Sequence, residues 1–544
     1  MKFRSFLVFV FTSLSFIVAQ AQEVAEQGLD ERINEAFTPI SNAWQSIVLH
    51  NFPGSAAVFG QPVPTIIILL VLGASFFTIY FGFINVRKFP LSINVVRGKY
   101  DDVDDHSGQE PVNVNVVDGD LVDTIKDEGH DGEVSHFQAL ATAVSGTVGN
   151  GNIAGVALAI ALGGPGATFW MILCGLIGMS TKFVECTLGV QYREIGEDGT
   201  VYGGPMYYLT KGLKDKGFVT LGKILAGLFA FLCIGASFGG GNAAQSNQAA
   251  QEIASYFGMT GGNARTIIGI IMMVFVGIII IGGIKRIASV TEKIVPFMAL
   301  MYILACIYIL GVNFTLIDDA FAAIFTQAFT PQAGLGGLFG VLIVGFQRAA
   351  FSNEAGAGSA SIAHSAVKTK FAASEGLVAL LEPFIDTVVI CTMTALVIII
   401  FNAGSAEFVY GGDGTGAVII DGQPLVGAGI TSAAFSKYIP FAAGFLTIAV
   451  VLFAVSTMIS WSYYGAQSWM YLFGKSKGSE YSYKILFLIF VVIGAAGDMS
   501  SVWGFSDAMI LALVFPNMIG LFFLFPVVKR ELNRYLEAIG SKNK

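Results

Sequence analysis

Two short polar stretches interrupt long apolar segments of this chain, and they hold residue types suited to binding a small charged solute. The first runs from Gly146 to Asn152 (GTVGNGN) and the second from Phe351 to Ser359 (FSNEAGAGS). A helix that unwinds at such a point exposes N–H groups that can bind a carboxylate, and carbonyl oxygens that can coordinate Na⁺. One break therefore offers complementary poles for a zwitterion and a cation. The alternative is that the glycines only allow close helix packing.

The composition places these stretches in a membrane. Of the 544 residues, 54% are hydrophobic and 12% are charged, with a mean hydropathy of +0.70. Soluble chains carry about 25% charged residues, so the composition argues against a soluble enzyme, a disordered scaffold and a nucleic-acid binder. The net charge of −8 is concentrated in residues 101–133, where twelve acidic residues accompany the single Lys126. We interpret this segment as a solvated acidic loop, with cation or partner binding as the alternative.

The chain begins with a predicted signal peptide over residues 1–21. It combines basic Lys2 and Arg4, an apolar run and the cleavage pattern Ala19-Gln20-Ala21; the alternative is an uncleaved first helix. An exported segment over residues 22–62 follows, helical in part and interrupted at Pro39. Eleven predicted membrane spans come next, at residues 63–86, 136–161, 166–191, 218–239, 265–284, 288–312, 335–363, 374–401, 437–472, 482–497 and 504–528.

Basic residues indicate the orientation of these spans. If the first span runs from outside to inside, the basic residues of the connections cluster on the cytoplasmic side, and only Arg32, Arg265 and Lys437 fall outside. We therefore expect a multi-pass protein of the cell (inner) membrane, with its N-terminus outside and its C-terminus in the cytoplasm. Two long exterior connections are predicted at 314–334 and 402–436, the second with turn signals for a hairpin.

Ten of the spans divide into two groups of five, over residues 134–313 and 335–528. An odd number of spans per group forces the second group to lie inverted relative to the first. Each polar break falls in the leading helix of its group, and paired breaks indicate a binding site at the bilayer midplane. The predicted fold is an all-α polytopic membrane protein with one additional N-terminal span and its cytoplasmic link over 63–100, followed by an inverted 5+5 repeat. Residues 529–544 form a cytoplasmic tail.

Four stretches resemble the signature of the alanine or glycine:cation symporter family. They are Gly146–Met171, Met179–Glu194, Tyr202–Leu209 and Gly345–His364, within a resemblance that covers roughly residues 63–535. The resemblance implies uptake of alanine or glycine driven by Na⁺, or sometimes by H⁺, on a fold of the leucine-transporter type. Asn150 departs from the threonine common in the family, which bears on substrate choice.

The same resemblance implies a transporter that is not an enzyme. We expect no cofactor other than sodium as the coupling ion. The expected partners are the amino acid, Na⁺ and the lipid bilayer, without nucleic acid; the sequence indicates no protein partner. The alternatives are a proton-coupled symporter of another small solute and, in a different functional class, an ion channel.

The resemblance also extends the site beyond the two breaks. It implies a pocket with Phe238, Asn242 and Gln245 from one helix and Trp461 from another. The predicted substrate residues are Thr147, Gly149, Asn150, Gly151, Asn152, Phe238, Asn242, Gln245, Ser352, Asn353, Gly356 and Trp461. The alternatives are hydrogen bonds between helices for the amides and ordinary packing for Trp461.

The resemblance also implies a sodium site where carbonyls of the first break meet hydroxyls of a later helix. Its predicted ligands are Ala143, Gly146 and Phe453 through carbonyls, and Ser456 and Thr457 through hydroxyls. The alternative is that the two hydroxyls bond to their own helix.

Four charged residues are predicted to lie at membrane depth. Arg348 and Glu354 belong to the second broken helix, and Glu382 and Asp386 share one face of the next helix. An unpaired charge is costly in a bilayer, so we expect Arg348 to form a structural ion pair with one of these carboxylates; a proton relay is the alternative. His364 is expected at the cytoplasmic interface.

Overall fold

A computed structural model describes residues 28–60, 62–104, 132–196, 199–329, 338–403, 407–411 and 414–542. The predicted signal peptide and most of the acidic loop lie outside the described residues. Almost all regular structure within them is helical. Helices suit apolar segments in a bilayer because they satisfy their backbone polar groups internally.

The N-terminal part forms one long helix and several short ones. They are α1 (Leu29–Val48), α2 (Ser55–Phe59), α3 (Thr65–Tyr80), α4 (Ile84–Arg87), α5 (Phe89–Val96) and α6 (Asp101–Asp104). The predicted interruption at Pro39 is wrong, because α1 continues through this proline.

The next part contains the first break. Its helices are α7 (His136–Thr147), α8 (Val156–Gly163), α9 (Gly166–Gln191), α10 (Pro205–Asp215), α11 (Val219–Phe238), α12 (Ala244–Tyr256), α13 (Ala264–Ile280) and α14 (Gly283–Val312). π-Helical turns at Gly151–Gly155 and Gly239–Ala243 lead into α8 and α12, and strands β1 (Glu194–Ile195) and β2 (Val201–Tyr202) pair between α9 and α10. Ser135 and Gln138 form a capping box that begins α7.

The last part contains the second break. Its helices are α15 (Ile317–Phe329), α16 (Leu338–Asn353), α17 (Ser361–His364), α18 (Ala372–Ala379), α19 (Leu381–Pro383), α20 (Thr392–Ala403), α21 (Ala428–Tyr438), α22 (Ala442–Phe473), α23 (Lys477–Ala496), α24 (Met499–Ala512) and α25 (Val514–Lys542). A 3₁₀ turn at Phe314–Leu316 precedes α15, and a π-helical segment at Phe384–Cys391 joins α19 to α20.

The predicted hairpin in the second long connection is confirmed. Strands β3 (Val418–Ile420) and β4 (Gln423–Leu425) pair antiparallel around Asp421-Gly422. Both turn residues have positive φ, of 50° and 76°, as a two-residue type I′ hairpin requires.

By length and composition, seven helices in the described part of the chain can cross a membrane. The number is eight if the two halves around the first break, which are bent by 51°, count as one span. The shorter apolar helices α3 and α13 add to the apolar surface. The chain is therefore a multi-pass membrane protein, whereas the count of eleven spans and the inverted repeat stay predictions.

Helix α1 packs against α24. Ser41 Oγ donates a hydrogen bond of 2.6 Å to the Ser501 carbonyl, and the ring centroids of Phe37 and Phe505 lie 5.1 Å apart. The predicted exported segment thus contains a helix that is docked on the bundle.

Candidate substrate and cation site

The first break begins where α7 ends. Beyond this point, backbone N–H groups donate hydrogen bonds to side chains and not to carbonyls of the helix. In a continuous helix the N–H of Gly149 would donate to the Ser145 carbonyl. Here it donates to Asn152 Oδ1 at 2.9 Å, and the N–H of Asn152 donates to the Gly149 carbonyl at 3.1 Å instead of to Val148. The carbonyls of Ser145 and Val148 are consequently released from the helix ladder.

The hydroxyl of Thr457, on α22, meets both released carbonyls. It lies 3.0 Å from the Ser145 oxygen and 3.5 Å from the Val148 oxygen. In return, Ser145 Oγ donates to the Ser456 carbonyl at 2.7 Å. Ser456 Oγ donates to the Phe453 carbonyl at 3.0 Å, within its own helix. A hydroxyl and several carbonyl oxygens therefore converge between α7 and α22, which is the ligand chemistry of a hard cation.

The other predicted carbonyl ligands of the first break are Ala143 and Gly146. The last helical hydrogen bond of α7 runs from the Val148 N–H to the Val144 carbonyl at 2.7 Å. The first carbonyl without a helical partner is therefore that of Ser145. The Ala143 carbonyl accepts the Thr147 hydroxyl at 3.3 Å. Gly146 packs against Tyr464, whose hydroxyl would lie 2.9 Å from a Cβ at that position. Thr457 contacts the carbonyls of Ser145 and Val148, whereas sodium binding by Ala143 and Gly146 stays a prediction.

Gln245 on α12 contacts the first break. Its Oε1 accepts the Asn150 N–H at 2.9 Å, and its carbonyl accepts Asn150 Nδ2 at 3.2 Å. Its Nε2 donates to the Gly240 carbonyl at 2.9 Å, inside the π-helical turn before α12. The structure therefore brings Gln245 to Asn150.

Two other predicted pocket residues contact α23. Asn242 Nδ2 donates to the Phe487 carbonyl at 2.5 Å, and the Phe238 ring stacks on Phe490 and Tyr483 at 4.6 and 5.7 Å. A π-helical turn holds one residue more than an α-helical turn. The extra residue changes which side chains share a face, and sequence spacing did not reveal it.

The second break begins after α16. Glu354, Gly356 and Gly358 all have positive φ, of 54°, 98° and 84°, so the chain turns sharply here. Asn353 Oδ1 accepts the Ala355 N–H at 2.9 Å, and the N–H of Gly356 donates to Glu185 Oε1 at 2.9 Å. Side chains again satisfy the backbone of an unwound segment.

Glu354 fixes the predicted pocket tryptophan. Its Oε1 accepts the indole N–H of Trp461 at 3.0 Å, and its Oε2 accepts the Ser359 hydroxyl. Trp461 is buried and packs so closely on Gly241 that a Cβ there would lie 2.2 Å from the indole Cγ. The second break therefore holds Trp461 against the π-helical turn before α12.

Asp386, in the π-helical segment between α19 and α20, joins the two breaks. Asn152 Nδ2 donates to its Oδ1 at 2.6 Å and to its carbonyl at 3.1 Å. Ser352 Oγ donates to its Oδ2 at 2.9 Å, and Thr387 Oγ1 donates to the same oxygen at 2.6 Å. Asn353 Nδ2 contacts Thr387 Oγ1 at 2.9 Å. The structure thus brings the predicted residues Asn152, Ser352 and Asn353 into one network.

The predicted partner of Arg348 is wrong. Its guanidinium pairs with Asp507 on α24, which also accepts Gln347 Nε2 at 3.1 Å. The guanidinium also lies 5.7 and 5.8 Å from the ring centroids of Phe351 and Trp503. Arg348 precedes the break by more than one helical turn, so its side chain projects to α24 and not toward the carboxylates at or after the break.

Glu382 pairs with a lysine that sequence reasoning missed. Lys182 on α9 lies 3.0 Å from Glu382 Oε1, and both side chains are fully buried. His364 is also buried, not interfacial, and contacts Glu375 and, at 3.5 Å, Glu382. The sequence could have indicated this pair, because Lys182 lies inside an apolar span and a charge in the membrane needs a partner of opposite charge.

We expect Arg348→Met to destabilise the protein by about 3–5 kcal/mol, because it leaves Asp507 buried without its cation. The measurement is thermal unfolding of purified protein in detergent. The double variant Arg348→Met/Asp507→Leu should regain much of the loss, since it removes both charges.

Lys437→Met is the control for this prediction. Lys437 pairs with Glu407 at 2.9 Å in a partly exposed position, where an ion pair contributes about 0–1 kcal/mol. Equal destabilisation by Arg348→Met and Lys437→Met would contradict the assignment of a buried structural pair.

Comparison with known proteins supports a transporter. The sequence pattern of the Sodium:alanine symporter family matches residues 54–544. The chain is 40% identical over 475 residues to the sodium/alanine symporter AgcS of Methanococcus maripaludis, covering 87% of this chain and 94% of AgcS. It is 36% identical over 404 residues to the probable sodium/glutamine symporter GlnT of Bacillus subtilis, and the match covers 74% of this chain and 78% of GlnT.

Among solved structures, the chain is similar to MhsT in complex with L-phenylalanine. The TM-score is 0.46 at 16% identity, covering 74% of this chain and 100% of MhsT.

Proposed function

Because this chain belongs to the sodium:alanine symporter family, we propose that it imports small neutral amino acids, alanine or glycine, together with Na⁺. Its relatives include proteins named as amino-acid symporters and carriers, which supports a role as a transporter and not as an enzyme. We further propose that the chain resides in the inner membrane with its N-terminus outside and its C-terminus in the cytoplasm, as its basic residues indicate.

The observation that carries the sodium proposal is the contact of Thr457 with the Ser145 and Val148 carbonyls. Two carbonyls released at a helix break and a hydroxyl from another helix form an uncharged set of oxygens at membrane depth. Na⁺ would be held by these three groups, with the Ser456 hydroxyl and the Phe453 carbonyl completing its shell. The bound ion would link α7 to α22 and so couple sodium occupancy to the arrangement of the first broken helix.

The substrate proposal rests on the polar groups of the first break and on the tight packing around it. Asn150, Asn152 and Gln245 supply amide donors and acceptors next to unwound backbone. Trp461 and Gly241 are in close contact beside them, which favours a substrate with a short side chain. The relatives named above are called alanine and glutamine symporters, and the packing favours alanine. The amide of Asn150 makes serine a further expected substrate, because it can hydrogen-bond a hydroxyl.

Uptake of labelled alanine into proteoliposomes tests the proposal. An inward sodium gradient should drive accumulation of alanine, and equal sodium on both sides should give only equilibration. The control replaces sodium with choline and applies a pH gradient. Equally strong accumulation under the pH gradient alone would show proton coupling and overturn the sodium proposal.

Competition in the same vesicles tests the size of the substrate. Unlabelled alanine, glycine and serine should block uptake, whereas leucine, glutamine and phenylalanine should not. Strong competition by leucine or glutamine would show that Trp461 does not limit the pocket.

A further inference from the structure

Two stacked aromatic rings cover the first break. Phe351, on α16, packs on Gly151 of the break, and its ring stacks on that of Trp503, on α24, with centroids 5.1 Å apart. The side chains of Asn150 and Gln245 at the break are buried. Helix α24 begins at the outer face in the proposed orientation. The cover therefore has to move before an amino acid from outside can reach the break.

Helix α24 is held to α16 by more than the rings. The buried guanidinium of Arg348 pairs with Asp507 on α24, and breaking a buried ion pair is costly. We therefore expect α16 and α24 to move together. The junction of α24 with α25 permits such a movement, since α24 ends at Ala512 and Pro516 has no N–H to donate to the Ala512 carbonyl.

On its other side, α24 is linked to α13 through α1, and the first turn of α1 is anchored on α13. Asp30 is buried, and its Oδ1 accepts the N–H and the hydroxyl of Thr266 at 3.1 and 2.6 Å. Its Oδ2 lies 3.6 Å from Arg265 Nε. Arg265 also lies 3.6 Å from Asp498, whose side chain is 57% exposed, so this second pair is weak. The buried carboxylate fixes this end of α1.

The middle of α1 bonds to the start of α24 through neutral groups and one exposed acid. Besides the ring contact and the Ser41 bond described above, the Thr38 and Ser501 hydroxyl oxygens lie 2.8 Å apart. Asn34 exchanges two hydrogen bonds with the exposed Asp498, of 2.5 and 2.9 Å. Water can replace such partners at a smaller cost than that of breaking the buried ion pair between α16 and α24.

We propose that α1 is an external strap that stays on α13 and separates from the start of α24 when α24 moves to admit the amino acid. Its return to α24 would close the cover over the bound substrate. This inference rests on the proposed function, because it adds a moving part to the same uptake cycle. Helix α1 precedes residues 54–544, which match the family pattern, so the strap does not follow from membership of the family.

The alternative is that α1 is a fixed brace for α24. In that case the two helices stay in contact through the whole cycle, and a covalent link between them has no effect on uptake. A strap has to release α24 in every cycle, so the same link stops uptake. The two possibilities therefore make opposite predictions for one experiment.

A reversible cross-link between α1 and α24 is this experiment. In Thr38→Cys/Ser501→Cys the sulfurs replace hydroxyl oxygens that lie 2.8 Å apart, so oxidation can join them, and the native cysteines are all buried. The full-length variant is oxidised before reconstitution, and dithiothreitol is added to half of the proteoliposomes. Sodium-driven alanine uptake should be almost abolished in the oxidised protein and restored by the reductant. Uptake by the reduced form shows that the variant is folded.

Asp30→Cys/Thr266→Cys is the matched control. It joins α1 to α13, where the carboxylate and the hydroxyl lie 2.6 Å apart, and its oxidised form should take up as much alanine as its reduced form. Undiminished uptake by oxidised Thr38→Cys/Ser501→Cys would overturn the strap, and so would an equal loss in the control pair. A wild type without sodium-driven uptake would instead overturn the proposed function, so the two proposals fail separately.

A second measurement does not require a disulfide to form. Nitroxide labels on cysteines at Ala43 of α1 and Ser500 of α24, which are both exposed, report the distance between the two helices. In sodium without alanine we expect two distances, the longer one from separated helices, and in sodium with alanine only the shorter one. A single unchanged distance under both conditions would show a fixed brace and overturn the strap.

Discussion

Thr457→Ala is expected to raise the sodium concentration for half-maximal alanine uptake by about tenfold. The substitution removes the only side-chain oxygen that contacts both the Ser145 and Val148 carbonyls among the described residues. Loss of a partner for buried polar groups costs roughly 1–3 kcal/mol, and 1.4 kcal/mol corresponds to about a factor of ten in affinity. Alanine affinity at saturating sodium should change much less, because sodium is then bound in both proteins.

Two further variants show whether the change in sodium half-saturation results from the loss of a sodium ligand. Ser456→Ala should also raise the sodium half-saturation, because the Ser456 hydroxyl is the second proposed side-chain ligand. Thr447→Ala, on the same helix α22, is the control. Among the described residues, the Thr447 hydroxyl bonds only to the Ala443 carbonyl of its own helix, at 2.8 Å. If neither Thr457→Ala nor Ser456→Ala shifts the half-saturation, the hydroxyl pair only stabilises the helix and the cation binds elsewhere.

Gly149→Ala is expected to abolish sodium-driven uptake. A Cβ at this position would lie 2.4 Å from Thr457 Oγ1, closer than packed atoms come to each other, and at a tight 3.0 Å from Gln245 Oε1. Either Thr457 leaves the released carbonyls, which removes the proposed sodium ligand, or the break itself changes shape and loses its contact with Gln245. Both outcomes affect the ion and the substrate together. The measurement is alanine uptake at several sodium concentrations, at matched amounts of reconstituted protein.

Gly155→Ala is the matched control for this prediction. Gly155 ends the π-helical turn of the same break, and its added Cβ would lie 3.5 Å from the ring of Trp503, an ordinary van der Waals contact. This variant should retain most of the uptake. Comparable uptake by Gly149→Ala and the wild type would show that the close approach of Gly149 to Thr457 is not required for transport.

The sequence alone identified the class of protein, the position of both breaks and most of the residues that line them. Hydropathy can be read from the local sequence. An apolar segment in a bilayer has few ways to satisfy the hydrogen bonds of its backbone N–H and carbonyl groups. Glycine and asparagine inside such a segment therefore indicate an unwound point before any contact is known. Asn150, Gln245, Ser352, Thr457 and Trp461 all lie at or beside the breaks, although the sequence did not indicate their hydrogen-bond partners.

Only the tertiary structure decided which partners these residues have. Arg348 bonds to Asp507, 159 residues away, and Thr457 bonds to Ser145, 312 residues away. Such pairs depend on the rotation of each helix about its axis and on the residue at which its helical hydrogen bonds end. The π-helical turns before α8, α12 and α20 change that rotation, and a shift of one residue moves a side chain by about 100° around the helix. The periodicity of the sequence averages over several turns and does not detect so local a change. The charge pairs and the carbonyls that contact Thr457 therefore had to come from the packed structure.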